Sequence, residues 1–234
     1  MSQIRVPEAK ASVPVADTAP SMPQPQIADP GPLGLAGFAM TTFVLSVFNT
    51  NMISATVSAA VLPLALFYGG LAQLLAGMWE FRKGNTFGAV AFSSFGAFWL
   101  SFAAYVKFVL PGLSAADAGN ATGLFLLAWA IFTLYMTVAS MRTNGAVLAV
   151  FVTLSITYIL LTIGAFAGSP NWDKAGGAMG IVTAVCAWYA SFAAVTNGTW
   201  GRTVLPTWPL SDGRSLMSYR GNLMAERQTT TVAR

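Results

Sequence analysis

Histidine is absent from the chain, and Cys186 is its one cysteine. These gaps exclude a disulfide framework, CxxC redox chemistry, haem attachment and His-rich metal sites within the chain. Cys186 stands in an apolar run and reads as packing. Charge is scarce as well, since 9% of residues are charged against 55% hydrophobic, with a mean hydropathy of +0.62. A soluble domain of this length needs a far more charged surface, so the composition indicates an all-helical membrane protein. A Walker loop, a GxSxG turn and paired intramembrane aspartates are also missing, so neither an enzyme nor a cofactor is expected. The net charge of +4 comes from basic residues scattered between apolar blocks. They form no stripe, which argues against nucleic acid and for membrane orientation.

Apolar runs long enough to cross a hydrocarbon layer, about 20 helical residues each, lie near 33–53, 57–81, 87–110, 120–141, 145–168 and 175–199. Six transmembrane helices follow. The breaks carry turn chemistry at Lys83-Gly84-Asn85, Pro111-Gly112, Asp117 to Asn120, Asn144-Gly145 and Gly168 to Asp173. The break at Asn49 to Ser54 has no charge to fix it. Residues 1–28, polar and Pro-rich without the pattern of a signal peptide, are expected to form a disordered tail. Residues 29–206 are expected to form the transmembrane domain, and 207–234 a second polar tail.

Arg5, Lys10, Arg82, Lys83, Arg142, Arg202, Arg214, Arg220, Arg227 and Arg234 fall on one side of this arrangement, and only Lys107 and Lys174 on the other. That asymmetry places both termini in the cytoplasm. Glu80 closes the second span, where a carboxylate opposes the helix dipole, and is expected to pair with Arg82, Lys83 or a basic residue on a neighbouring helix. Gly69, Gly70 and Gly77 on the second span, and Gly176, Gly177 and Gly180 on the sixth, predict close approach of another helix or another subunit.

The span centres hold no Asp, Glu, Lys or Arg. A pump or carrier that relies on a mid-membrane carboxylate or histidine is therefore disfavoured. The polar residues there are neutral: Thr41, Thr42, Ser46, Asn49, Gln73, Ser93, Ser94, Ser101, Thr133, Tyr135, Thr137, Thr153, Ser155, Thr157 and Tyr158. Each alone is compatible with a helix–helix hydrogen bond. Their number across five helices is compatible with a path for a small polar solute.

Four ordered blocks carry a family resemblance: DPGPLGLAGFAMTT (Asp29–Thr42), FYGGLAQLLAGMWEFRKGNTFG (Phe67–Gly88), AFSSFGAFW (Ala91–Trp99) and GRTVLP (Gly201–Pro206). Together they resemble the acetate uptake transporter family, from about Asp29 to Pro206. The resemblance implies a six-helix subunit in a homohexamer of the bacterial inner membrane. Each subunit would carry a pore for acetate and related short carboxylates, succinate among them. It places a hydrophobic constriction at Phe38, Phe95 and Leu154, where close bacterial relatives carry Tyr in place of Phe95. The family's opening motif, Asn-Pro-x-Pro-Leu-Gly-Leu, reads Asp29-Pro30-Gly31-Pro32-Leu33-Gly34-Leu35 here.

Asp for Asn keeps a good helix cap but adds a charge that repels an anion. Pro32 suits a first helical turn, and free N–H groups at Leu33, Gly34 and Leu35 would attract a carboxylate. Thr41, Thr42 and Gln73 are further candidates along the path. Tyr68 and Asn85 belong to the matched blocks without an assigned role. A carboxylate could cross as an anion through a channel, favoured by the lack of a titratable side chain at mid-span, or with a proton as a symported pair. The alternatives are passage of another small solute such as ammonium or urea, and a membrane scaffold that transports nothing.

Overall fold

In the computed structural model, residues 27–211 are described. The tails expected at 1–28 and 207–234 lie mostly outside this range. Six helices are long and apolar enough to span a membrane: α1 (Gly31–Asn49), α2 (Ala55–Lys83), α3 (Thr86–Gly112), α4 (Ala115–Ser140), α5 (Gly145–Ala167) and α6 (Pro170–Trp200). No sheet forms among the described residues, where β pairing is limited to one isolated bridge, Asn144 to Pro209.

Local chemistry sets the ends. Asn85 accepts a hydrogen bond from the Gly88 N–H at 3.2 Å, Asn144 from Val147 at 3.0 Å and Ser114 from Asp117 at 3.2 Å, so α3, α4 and α5 each start on a side-chain cap. α2 closes on Gly84 at φ 79°, and α5 closes on Gly168 at φ 57°. Both are left-handed positions that favour glycine.

Consecutive helices pack as neighbours, and α6 packs along α1, which closes a ring. The backbones of α3 and α4 make the loosest junction. Aromatic rings fill it: Phe98 stacks on Phe125 at 5.7 Å, Tyr105 on Phe125 at 5.5 Å, and Phe95 meets Phe132 edge-on at 5.3 Å.

The tightest junction is α2 with α3. A Cβ on Gly96 would stand 2.6 Å from the Leu74 backbone nitrogen, and one on Gly77 would meet the Ser93 backbone. The glycines of the second span therefore receive a helix of the same subunit. On α6, Gly176 faces Leu161 of α5, Gly177 faces Ser46, Asn49 and Thr50, and Gly180 faces Ser46 and Thr157.

Two helices contain a wide π-helical turn, Phe67–Ala72 in α2 and Tyr105–Val109 in α3. At the first, Gly69 lies against the Thr41 side chain of α1 and Gly70 against Leu100 of α3.

After α6 the chain folds back as a strap. Tyr189 donates its hydroxyl to the Pro206 carbonyl at 2.6 Å, and Asn197 accepts from the N–H groups of Val204 and Leu205 at 2.7 and 2.9 Å. The strap then reaches the start of α5, where Gly145 donates to the Trp208 carbonyl at 2.8 Å and Leu210 to the Thr143 carbonyl at 3.0 Å. The expected boundary at residue 206 thus falls inside an ordered segment.

Candidate functional site

Inside the ring, two cavities approach each other from opposite ends. The far one, about 250 Å³, lies where α1 ends and α6 begins. Phe38, Thr42, Ser46 and Asn49, spaced three or four apart on one face of α1, line it together with Thr157 and Tyr158 of α5 and Tyr105 and Thr122 across the α3–α4 junction. The near one, about 350 Å³, lies where α1 begins and α6 ends, between Asp29, Pro32, Leu35, Lys83, Asn85, Phe151 and Thr207.

Buried apolar side chains stand between them. Phe38, Phe95 and Leu154 are exposed by only 4%, 3% and 4%. Phe38 and Leu154 form the floor of the far vestibule, while Phe95 lines neither. Its ring lies 5.7 Å from that of Phe38 and 6.1 Å from that of Phe151, a lining residue of the near vestibule.

The polarity of the two vestibules differs. The far one offers neutral hydroxyls and the Asn49 amide, with Asp173 at its mouth as a carboxylate. The near one holds three charged groups. Lys83 Nζ pairs with Asp29 Oδ1 at 2.7 Å. The same oxygen accepts the Gly31 N–H at 2.9 Å. Glu80 is 1% exposed and, contrary to the expectation from sequence, forms no ion pair among the described residues. Its Oε2 has no hydrogen-bond partner. Lys83, one turn further along α2, is already committed to the more accessible carboxylate of Asp29.

The path candidates separate by face. Asp29, Pro32 and Leu35 line the near vestibule, and Thr42 the far one. Thr41 turns away to α2, donating to the Gly37 carbonyl at 2.9 Å and the Leu64 carbonyl at 3.5 Å, and lines neither cavity. Gln73 is 1% exposed and also stands outside both. Leu33 is 45% exposed on the outer face, and Gly34 is packed against Phe92.

Three free amides in the first turn of α1 are not present either. The Gly34 N–H donates to the Pro30 carbonyl at 3.2 Å, and Leu35 lies beyond the first four N–H groups, which alone lack an intrahelical acceptor. Gly31 supplies an amide instead.

Of the other neutral polar residues, Thr133, Thr137 and Thr153 bond back to their own helix, and Thr137 also bonds to Ser155 at 2.8 Å. Asn85 combines its cap with a place in the near vestibule, whereas Tyr68 lies at the contact with Gly37, outside both cavities. No sequence signal marks Asp173 or Thr207 as a lining residue. Asp173 reads as part of a loop and Thr207 as part of a tail, and only the start of α6 and the strap carry them to the vestibules.

Comparisons with known proteins place this architecture. The sequence profile of the GPR1/FUN34/yaaH family matches residues 14–212. "Ammonia transport outward protein 2" of Saccharomyces cerevisiae is 44% identical over 180 residues, covering 75% of this chain and 64% of that protein. "Succinate-acetate/proton symporter SatP" of Escherichia coli is 39% identical over 183 residues, covering 77% of this chain and 95% of that protein. A solved structure described as the bacterial acetate channel SatP superposes with a TM-score of 0.73 at 37% identity, covering 78% of this chain and 99% of that one. The yeast relative is thus matched over less than two thirds of its length, and the bacterial one almost completely. A closed ring of six membrane-spanning helices, two vestibules and a match across most of the sequence lead to one assignment: the chain belongs to the GPR1/FUN34/yaaH family.

Proposed function

We propose that this protein carries acetate and related short carboxylates, succinate among them, across a bacterial inner membrane. The observation that carries this reading is the meeting of two vestibules at the buried Phe38–Phe95–Leu154 layer. Its support from likeness is the E. coli succinate-acetate/proton symporter and the solved bacterial acetate channel. Six helices form one pore per subunit, and the subunits assemble as a homohexamer through the apolar outer faces, where Phe67 is 68% and Leu124 65% exposed. Both termini face the cytoplasm, as the positive-inside asymmetry requires, so the near vestibule is the cytoplasmic one.

A carboxylic acid with a pKa of roughly 4 to 5 is almost wholly anionic at neutral pH. The anion sheds its water at the aromatic layer, with hydroxyls replacing part of that shell in the far vestibule and Lys83 offering charge in the near one. The same path serves anion conduction or transfer of the acid with its proton. No catalytic step and no cofactor enter this reading.

Proteoliposomes of the purified protein separate the modes. Saturable acetate uptake that propionate blocks, and that an imposed proton gradient accelerates, identifies coupled transport. Uptake that follows the acetate gradient and membrane potential alone identifies a channel. No uptake above empty liposomes by folded protein overturns both.

The name of the yeast relative favours a second reading, passage of ammonia or ammonium. Under that reading ammonium pulses shift internal pH and propionate does not compete; urea flux serves as a parallel check on neutral solutes. A scaffold that transports nothing would leave permeability unchanged in Phe38→Ala and Leu154→Ala.

A further inference from the structure

The side chain of aspartate is a methylene carboxylate, in effect an acetate tethered to the backbone. In the near vestibule one such group is already bound. Asp29 Oδ1 is gripped by Lys83 Nζ at 2.7 Å and by the Gly31 N–H at 2.9 Å. An ammonium and a backbone amide converging on one carboxylate oxygen are the donors that a free carboxylate would need.

Glu80 adds an independent observation. Its buried carboxylate lies beside the same turn, because a Cβ built on Gly31 would lie 3.1 Å from Asp29 Oδ1 and 3.3 Å from Glu80 Oε1. Glu80 Oε2 lacks a donor. Two carboxylates therefore flank the Gly31 turn while the one ammonium nearby pairs with Asp29 alone, in a vestibule whose other polar lining groups are Asn85, Thr143, Asn144 and Thr207. A third carboxylate cannot join without repulsion from both, but it can replace the one that is free to move. Asp29 is that one, at 54% exposure on a short segment ahead of α1, whereas Glu80 is fixed inside the packing of α2.

We propose that Lys83 and the Gly31 N–H form a carboxylate subsite which Asp29 occupies as a tethered competitor, so that a permeating carboxylate engages it by displacing Asp29. The proposal rests on the transport reading above and adds a specific binding step at the near mouth. It assigns Asp29 a role beyond capping. The chain lowers its own affinity at this end, which favours release of substrate into the near compartment and prevents Lys83 from becoming a trap.

The test is acetate titration of the full-length purified protein by isothermal calorimetry, at fixed ionic strength. The panel is wild type, Asp29→Asn, Lys83→Gln and the D29N/K83Q double variant. Asn at position 29 keeps an oxygen for the Gly31 N–H, so the helix start is preserved; thermal unfolding of each variant checks this. An exposed ion pair reserves only part of the subsite, so D29N should bind acetate about two- to fivefold more tightly than wild type. The double variant should lose that gain.

Equal or weaker binding by D29N overturns the proposal, as does the absence of acetate binding in both wild type and D29N. A gain that survives in the double variant overturns it too, since simple relief of repulsion does not need Lys83. Acetate uptake by the same wild-type preparation is measured in parallel. Binding that follows the expected pattern without uptake leaves the subsite standing and removes the transport reading, whereas uptake with no effect of D29N on binding does the reverse.

Discussion

Replacing Phe95 with Ala is the most direct probe of the layer between the vestibules. The Phe95 ring meets Phe38, Trp129, Phe132 and Phe151 at centroid distances of 5.7, 6.1, 5.3 and 6.1 Å. Aromatic pairs contribute about 0.5–1.5 kcal/mol each, and Phe→Ala in a soluble core costs about 3–5 kcal/mol. Within a membrane the water-transfer part of that figure is largely absent, so packing loss alone sets a destabilisation of about 2–4 kcal/mol.

The kinetic effect has the opposite sign. Without the ring the apolar layer between the 250 and 350 Å³ spaces is thinner, and a carboxylate should cross with more of its hydration shell. Desolvating an ion costs several kcal/mol. Recovering only ~1.4 kcal/mol of that barrier raises flux about tenfold. The assay is labelled acetate uptake in proteoliposomes, with benzoate as a bulky competitor and thermal unfolding as the control for folding. F95A should pass acetate about tenfold faster and begin to admit benzoate. A folded F95A whose acetate flux stays within about twofold of wild type would show that the barrier lies elsewhere.

Gly96→Ala should destabilise the subunit by about 1–3 kcal/mol, read as a lowered melting temperature in detergent, because its Cβ meets the Leu74 backbone at 2.6 Å and the α2–α3 junction has to separate. Asp173→Asn removes the carboxylate at the far mouth and should raise acetate influx at low ionic strength; the difference should fade at high salt, where screening already hides the charge. Tyr189→Phe deletes the 2.6 Å hydrogen bond to Pro206 and should cost about 0.5–1.5 kcal/mol, with faster proteolytic cleavage between residues 201 and 210 while α1 to α6 stay protected.

The six spans are legible because hydropathy alone dictates them, but charge that resembles loop sequence obscures their ends. α6 begins at Pro170, ahead of the expected 175, and takes Asp173 into its first turn, where a carboxylate complements the dipole. α4 begins at Ala115 because Ser114 caps it, with the Ser114 hydroxyl donating to Asp117 at 2.7 Å. The wide turns at Phe67 and Tyr105 carry no local sequence signal.

The site divides in the same way. The row Phe38, Thr42 and Asn49 shares one helical face and could be found by spacing once Phe38 was placed. Thr41 is one residue away and about 100° around the helix, which is enough to turn it from the path to α2. Nothing in an all-round apolar helix distinguishes those directions. The pairing of Lys83 with Asp29 rather than with Glu80 depends on how α1 meets α2, which no local pattern encodes.

The strap after α6 has a mechanical consequence. It fastens the end of α6 to the start of α5, while Ser191 holds the Pro32 carbonyl at 2.8 Å and Thr157 meets Thr183 at 3.2 Å. α1, α5 and α6 are thereby laced together. The remaining wall, α2 and α3, contains both wide turns and meets α4 chiefly through stacked and edge-on aromatic rings. The α3–α4 seam is therefore where the ring can widen with the least backbone packing to break, since α2 is itself tied to α1 through Thr41 and Lys83.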